Sequence, residues 1–411
     1  MSPFIDSLAE EGNIFLNHYA TDVPTPASFT SLMYGTRGIY NGVVGFNQCN
    51  PLCLSRSSSM EEFSPENPPI AECYSEEGFR TGMISNLIYP CPWLMNGFQD
   101  IYPPGREFQG GYPEEVTKES SRWLENHADE DFFLFAHYWT PHYDYFKRSE
   151  KTFRDMFSPD EYEDHVPDLG YIKENETLRS RFKSVSYSGL GEKIDVAQAL
   201  AAYDSNIRYV DENIKKLIEK LEELGIRDET LIVFTSDHGE AFGEYGFWEH
   251  LSCYRNVSKI PLIIEGLSIQ NNKVPQFTQH IDIMPTLLQL SGLEGPDKVS
   301  GRKMNPLLNG REDQFRKEVV VNTEHGSVQR MFIRDNYALV HALEKGDWSH
   351  LKKYELFDLQ EDPEQTNDLS CEMEEKTQEM RLALDDWLTE KLANKPDPLQ
   401  LSYFRKHDSN G

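Results

Sequence analysis

The chain has 411 residues and carries 69 acidic against 40 basic side chains, a formal net charge of −29. That length suits a large α/β unit with an appendage better than one simple core. So acidic a surface argues against nucleic acid and anionic membranes as partners, and any anionic substrate must be held locally against the overall field.

Met1-Ser2-Pro3 opens almost directly into a helical pattern at Ile5, Leu8 and Ala9. There is no signal-peptide pattern and no apolar run long enough to span a bilayer, so membrane insertion is not expected. Residues 14–16 predict the first strand. The stretch from Thr25 to Gly35 then reads as a helix with both ends marked. Thr25 is an acceptable N-cap, Pro26 fits the first helical position, and Gly35 fits the stop. Thr25 thus has two readings. In one it only caps; in the other its hydroxyl lies beside unpaired N–H groups, where an anion can sit and the oxygen can act as a nucleophile.

Residues 132–136 predict a second strand, running into His137-Tyr138-Trp139-Thr140-Pro141-His142. His137, among aromatics, reads as a packed residue. His142, beyond the proline, is the better candidate to bind an oxyanion or move a proton. Residues 150–195 are charged and irregular and read as an insertion over one edge of the sheet. Residues 197–224 follow with Ile207, Val210, Ile214, Leu217, Ile218 and Leu221 at helical spacing, and Gly225 closes that helix.

The most informative stretch comes next. Residues 231–234 are short, apolar and β-rich, as in a strand buried on both faces, and they end at Thr235-Ser236-Asp237-His238-Gly239. A carboxylate and an imidazole at a strand's carboxyl end occupy the place where open α/β sheets build sites, and such donors suit a divalent metal. The plainer reading is an Asp capping a turn beside an incidental His. Glu249-His250 lies a short loop further on, before a strand at 261–264.

From about residue 318 the texture changes to short antiparallel strands at 319–321, 331–333 and 337–340, followed by a helix over 373–392. The expected division is therefore an α/β domain over 1–317, an α+β subdomain over 318–393, and a polar, frayed tail over 394–411. Cys49, Cys53, Cys73, Cys91, Cys253 and Cys371 are scattered. Cys49 and Cys53 lack the second pair of a zinc site, so reduced thiols in a cytoplasmic protein are expected. Nothing in the sequence fixes an oligomeric state.

Taken in series, these motifs resemble the sulfatase family of the alkaline-phosphatase-like superfamily. Residues 2–12 are similar to its first helix, 25–35 to its nucleophile helix, 132–142 to its HYWDPH loop, and 203–239 to its long helix and SDHG metal strand. Residues 280–286 are similar to its H-x-D-x-x-P-T segment, and 301–310 and 355–363 to its C-terminal markers. The resemblance implies a mixed, mostly parallel central sheet flanked by helices, with a small antiparallel sheet behind. It also implies a hydrolase of anionic sulfate or phosphate esters. Asp237, His238 and Thr25 would hold a divalent cation (Ca2+, Mg2+, Mn2+ or Zn2+). Thr25, His142 and His250 would be catalytic, and Ser28, Asn86, His142 and His250 would contact substrate.

Three departures qualify this. Many sulfatases carry Cys or Ser at the position of Thr25 and oxidise it to formylglycine, which a Thr cannot form because its Cβ bears a methyl group. Phe29 replaces the motif's Arg, and Ser85 and Asn86 fall where the family has Gly-Lys-Trp-His. The family also opens with a strand ending in paired aspartate ligands, and this chain is expected to begin after it. A phosphate-ester or phosphonate hydrolase or transferase, and a catalytically silent binding protein, therefore stand as alternatives.

Overall fold

The computed structural model describes all residues except 46–66, 106–110, 143–144, 147–152, 154–155, 181–194, 268, 270, 312–313 and 402–411. Cys49, Cys53 and much of the expected insertion lie outside the described residues. The strands, in chain order, are β1 (Asn13–Tyr19), β2 (Asp22–Val23), β3 (Arg80–Ile84), β4 (Asp100–Tyr102), β5 (Phe132–Ala136), β6 (Ile232–Thr235) and β7 (Ala241–Phe242). They continue as β8 (Trp248–Glu249), β9 (Leu262–Glu265), β10 (Asn272–Gln279), β11 (Glu318–His325), β12 (Ser327–Arg334), β13 (Tyr337–Glu344) and β14 (Tyr354–Asp358).

The central α/β layer is built in two sections, β10-β1-β9-β6 and β4-β3-β5. Neighbours are parallel at β1–β10, β3–β4 and β3–β5, while β9 runs antiparallel to both β1 and β6. The two sections share their cores. Phe132, Leu134, Ile232 and Phe234 pack with Ile5, Val116, Trp123, Val210 and Ile214 of three helices on one face. Phe133, Phe135 and Val233 pack with Ala27, Phe29, Met33, Tyr74 and Met284 on the other. A 28-residue helix, Val196–Glu223, covers the first face, as its apolar spacing predicts. The expectation that 231–234 is buried on both faces needs correction: every residue of β6, like every residue of β5, is only half-buried. Among the described residues each strand ends its section, so one edge is paired, with β9 and with β3 respectively.

Behind this layer, β14-β13-β12-β11 form an antiparallel meander, and β11 pairs in parallel with β2 through Asn322↔Asp22 and Thr323↔Val23. The Glu374–Leu392 helix lays Met380, Leu384 and Trp387 on Val320, Phe332, Leu339 and Leu356. The sequence beyond 394 is not frayed throughout. Leu399 is fully buried, and Asp397 receives the guanidinium of buried Arg330 at 2.8 and 3.1 Å. A buried cation requires such a partner, and the only local pattern hint was the Asp between two prolines.

His341 on β13 offers a test of this packing. Burial, with Arg330, Lys353 and Arg381 nearby, pushes its imidazole down to about 4. Its folded pKa lies below the unfolded value, so its contribution to stability is present above about pH 6.5 and is lost as pH falls towards 4. Against His341→Gln, wild type should lose up to about 1 kcal/mol per pH unit across that window, reduced by the ring's partial exposure. Denaturant melts at several pH values measure this, and parallel curves would remove the assignment.

Candidate active site

β6 delivers Asp237 and His238 at its carboxyl end, and Gly239 sets how they are aimed. The Gly239 N–H donates to the Val257 carbonyl at 2.6 Å. A Cβ at 239 would stand 2.2 Å from the Asn256 carbonyl oxygen, so a side chain there would displace the turn. The Thr25–Tyr34 helix ends, as its sequence predicts, on left-handed Gly35 at φ +60°. Its start differs. Pro24 takes the cap position and Thr25 lies in the first turn, leaving its hydroxyl free for other partners.

Thr25 Oγ1 lies 3.1 Å from His238 Nε2, and Asp237 Oδ2 lies 3.2 Å from the same nitrogen. The carboxylate of Asp237 also hydrogen-bonds Thr25. Residues separated by more than 200 positions thus meet within hydrogen-bond reach. His238 Nδ1 is 2.9 Å from the Gly239 carbonyl, which can only accept, so Nδ1 carries the proton. In the neutral ring Nε2 is then an acceptor, so the single proton of the Thr25 hydroxyl is shared between Nε2 and the Asp237 carboxylate. Burial works to raise the Asp237 carboxyl, but His238, His137 and the Thr25 hydrogen bond outweigh it and hold the group below its usual value.

Ser28 does not face a substrate. It is fully buried, its hydroxyl donates to the Asp237 carbonyl at 2.6 Å, and it lies 3.0 Å from His280 Nδ1. His280 Nε2–H donates in turn to the Ser236 carbonyl at 2.9 Å, and burial pushes this ring down to about 4. Ser28 and His280 therefore clamp the backbone that carries Asp237. His280 was visible in the sequence only as part of a motif, without a role.

A row of imidazoles leads away from this pair. His250 stacks on His238 at 4.2 Å between ring centroids, with His142 at 5.3 Å and His325 at 5.7 Å from it. Burial first, then the neighbouring rings, hold His250 well below the usual imidazole value, so it is neutral at pH 7. His325 was not anticipated, although it ends a valine-rich strand as His238 does. Beside His250, Glu240 is raised well above its usual value by burial and by the nearby Glu249 carboxylate. His137 packs edge-on to Phe29 at 5.0 Å, bonds Ser85 Oγ at 2.9 Å and is pushed down to about 4 by burial, as befits a packed residue. Asn86 is buried next to Ser85, at the start of a short 3-10 turn.

The sulfatase family is generally dependent on a divalent metal. Here Asp237, His238 and Thr25 supply one carboxylate, one imidazole and one hydroxyl. No group of three or more His, Cys, Asp or Glu side chains among the described residues is placed to hold a metal. Zinc needs four ligands and calcium or magnesium six or more, so these three donors alone do not make such a site.

Comparison with known proteins agrees with the geometry. The family model described as Sulfatase matches residues 1–293, and that described as N-sulphoglucosamine sulphohydrolase, C-terminal, matches residues 243–394. The choline-sulfatase of Rhizobium meliloti (strain 1021) is 25% identical, over 90% of this chain and 77% of that protein. A protein solved with its substrate D-glucosamine-2-N,6-O-disulfate superposes with a TM-score of 0.71 at 20% identity, covering 96% of this chain and 94% of that one. The phosphonate monoester hydrolase of Silicibacter pomeroyi gives 0.73 at 18%, covering 97% and 91%. The fold is thus alkaline-phosphatase-like, and the chain belongs to the sulfatase family.

Proposed function

We propose that this sulfatase-family hydrolase cleaves sulfate esters through a covalent ester on Thr25. The observation that carries this reading is the 3.1 Å approach of Thr25 Oγ1 to His238 Nε2. Thr25 Oγ attacks the sulfur, its proton passes to His238 Nε2, and the bond from sulfur to the leaving alcohol oxygen breaks. The leaving alkoxide takes a proton from solvent or from His142. Water then attacks the same sulfur, losing one proton to solvent, and as the bond from sulfur to Thr25 Oγ breaks the proton on His238 Nε2 returns to Oγ, releasing sulfate and regenerating the hydroxyl. His142 and His250, whose ring centres lie 5.3 Å apart, would contact the sulfuryl oxygens, and the first turn of the Thr25–Tyr34 helix, ahead of the bond from Ser28 N–H to Pro24 O at 3.0 Å, would add N–H donors.

Asn86 and His142 remain the proposed substrate contacts, with His250, and the division at 317/318 remains the proposed domain boundary. Calcium, magnesium, manganese or zinc would need donors beyond Asp237, His238 and Thr25, so no step is routed through a cation. Among the described residues Cys73, Cys91, Cys253 and Cys371 form no disulfide, which supports a cytoplasmic setting. No helix among the described residues is long and apolar enough to cross a membrane.

A second reading, phosphate-ester or phosphonate hydrolysis, is favoured by Thr25 itself and by Phe29, which packs on His137 where an arginine would face the anion. Parallel assays with p-nitrophenyl sulfate, p-nitrophenyl phosphate and a p-nitrophenyl phosphodiester, each cation being added in turn, separate the two. The sulfate ester is expected to turn over fastest. A faster phosphate ester moves the substrate class, and no turnover of any of them leaves a silent binding protein.

A further inference from the structure

A cavity of about 850 Å³ opens at the far end of the Thr25–Tyr34 helix, between that helix, β11, β12 and the Glu374–Leu392 helix. Neither Thr25, Asp237, His238 nor His250 lines it. The ten-residue helix alone spans about 15 Å, so the two sites are separate.

Its charge is opposite to that of the molecule. Eight Lys or Arg side chains line it against three acidic ones, in a chain with 40 basic and 69 acidic residues. Some of these cations are internally matched: Arg316 pairs with buried Asp282, Arg334 with Glu318 at 2.7 Å, and Lys391 with Glu390 at 2.6 Å. Others are not. Lys317 and Lys395 are exposed and make no ion pair among the described residues. Buried Arg37 donates to the Gln279 side-chain oxygen at 2.7 Å and to the Val320 carbonyl at 3.3 Å, with its guanidinium 5.4 Å from the Trp387 ring centre. Burial first, then Arg316 beside it, push Arg37 down to about 10. Like charges gathered at one concave wall raise the local concentration of anions, and Trp387 supplies a flat apolar face for a ring. The volume falls within the range of pockets for ligands of nucleotide or disaccharide size.

We infer that this cavity, lined by Arg37, Arg302, Lys317, Arg334, Lys391 and Lys395, binds a small organic anion carrying two or more sulfate, phosphate or carboxylate groups. Two anionic groups are expected because the cations come from separate segments, Lys317 just before β11 and Arg334 at the end of β12, and Lys391 and Lys395 from the C-terminal helix and the segment after it. Binding there is independent of chemistry at Thr25.

Calorimetric titration of the full chain with pyrophosphate and with sucrose octasulfate, at fixed ionic strength, tests this. Saturable binding is expected for at least one probe. The double variant Lys317→Glu/Lys395→Glu should weaken it at least about tenfold. Lys215→Glu/Lys216→Glu, which makes the same charge change on the exposed face of the Val196–Glu223 helix, should leave it nearly unchanged. His142→Ala, which removes a proposed anion contact of the active site, should also bind normally, and that separates this site from the proposed active site. Equal loss in both lysine pairs, or no saturable heat with either probe, would overturn the inference. So would binding that His142→Ala abolishes and Lys317→Glu/Lys395→Glu spares.

Discussion

Thr25→Ala is expected to lower turnover of the preferred ester by at least about 10³-fold, with little change in KM. The hydroxyl lies within hydrogen-bond reach of both Asp237 and His238, and its removal leaves no other hydroxyl on that helix facing them, since Ser28 is committed to the Asp237 carbonyl. Stability should change by only about 1 kcal/mol, the worth of one hydrogen bond. Thr25→Ser should keep much of the rate, because the oxygen stays while only a methyl group is lost. Steady-state kinetics of the two variants decide the matter, and an alanine variant with full turnover removes the nucleophile assignment.

The largest effect on stability is expected from Arg330→Met. Arg330 is 1% exposed and donates to Asp397 twice and to Asn322 Oδ1 at 2.7 Å. Asn322 donates to Asp22 at 2.7 Å, and Asp22 accepts from Ser31 at 2.6 Å and from the Gly38 N–H at 2.9 Å. One polar network thus ties the end of the described chain, the meander and the nucleophile helix together. Removing the guanidinium leaves Asp397 buried without a counter-charge, a loss of about 3–5 kcal/mol. Arg330→Met/Asp397→Leu should recover part of that loss, because an apolar pair leaves no buried charge. Denaturant unfolding of wild type, single and double variants gives the cycle. Additive losses would mean the two residues do not act as a pair.

The elements of the site were legible because local chemistry marks them. Pro26 and Gly35 punctuate the nucleophile helix, and an apolar run stopping at Ser-Asp-His-Gly marks a strand end that carries donors. What joins those elements was not legible. Ser28 and His280 are 252 positions apart, and no local pattern reveals that one steadies the carbonyl of Asp237 against the other. His325 obeyed the same strand-end rule as His238, and Thr323-Glu324-His325-Gly326 carries the same carboxylate-imidazole pairing as 237–238, so that signal was present in the sequence. The half-buried state of β6 depends on which strands neighbour it, and the apolar run alone does not specify that. The cationic cavity was hidden for the same reason, since its cations come from segments that only the fold brings together.

The most direct measurement is mass spectrometry of the Thr25 peptide after rapid quenching of turnover with the preferred p-nitrophenyl ester. One sulfuryl or phosphoryl group on Thr25 is expected, absent from Thr25→Ala. An adduct on a different residue, or fast turnover with Thr25 never modified, would contradict the covalent reading.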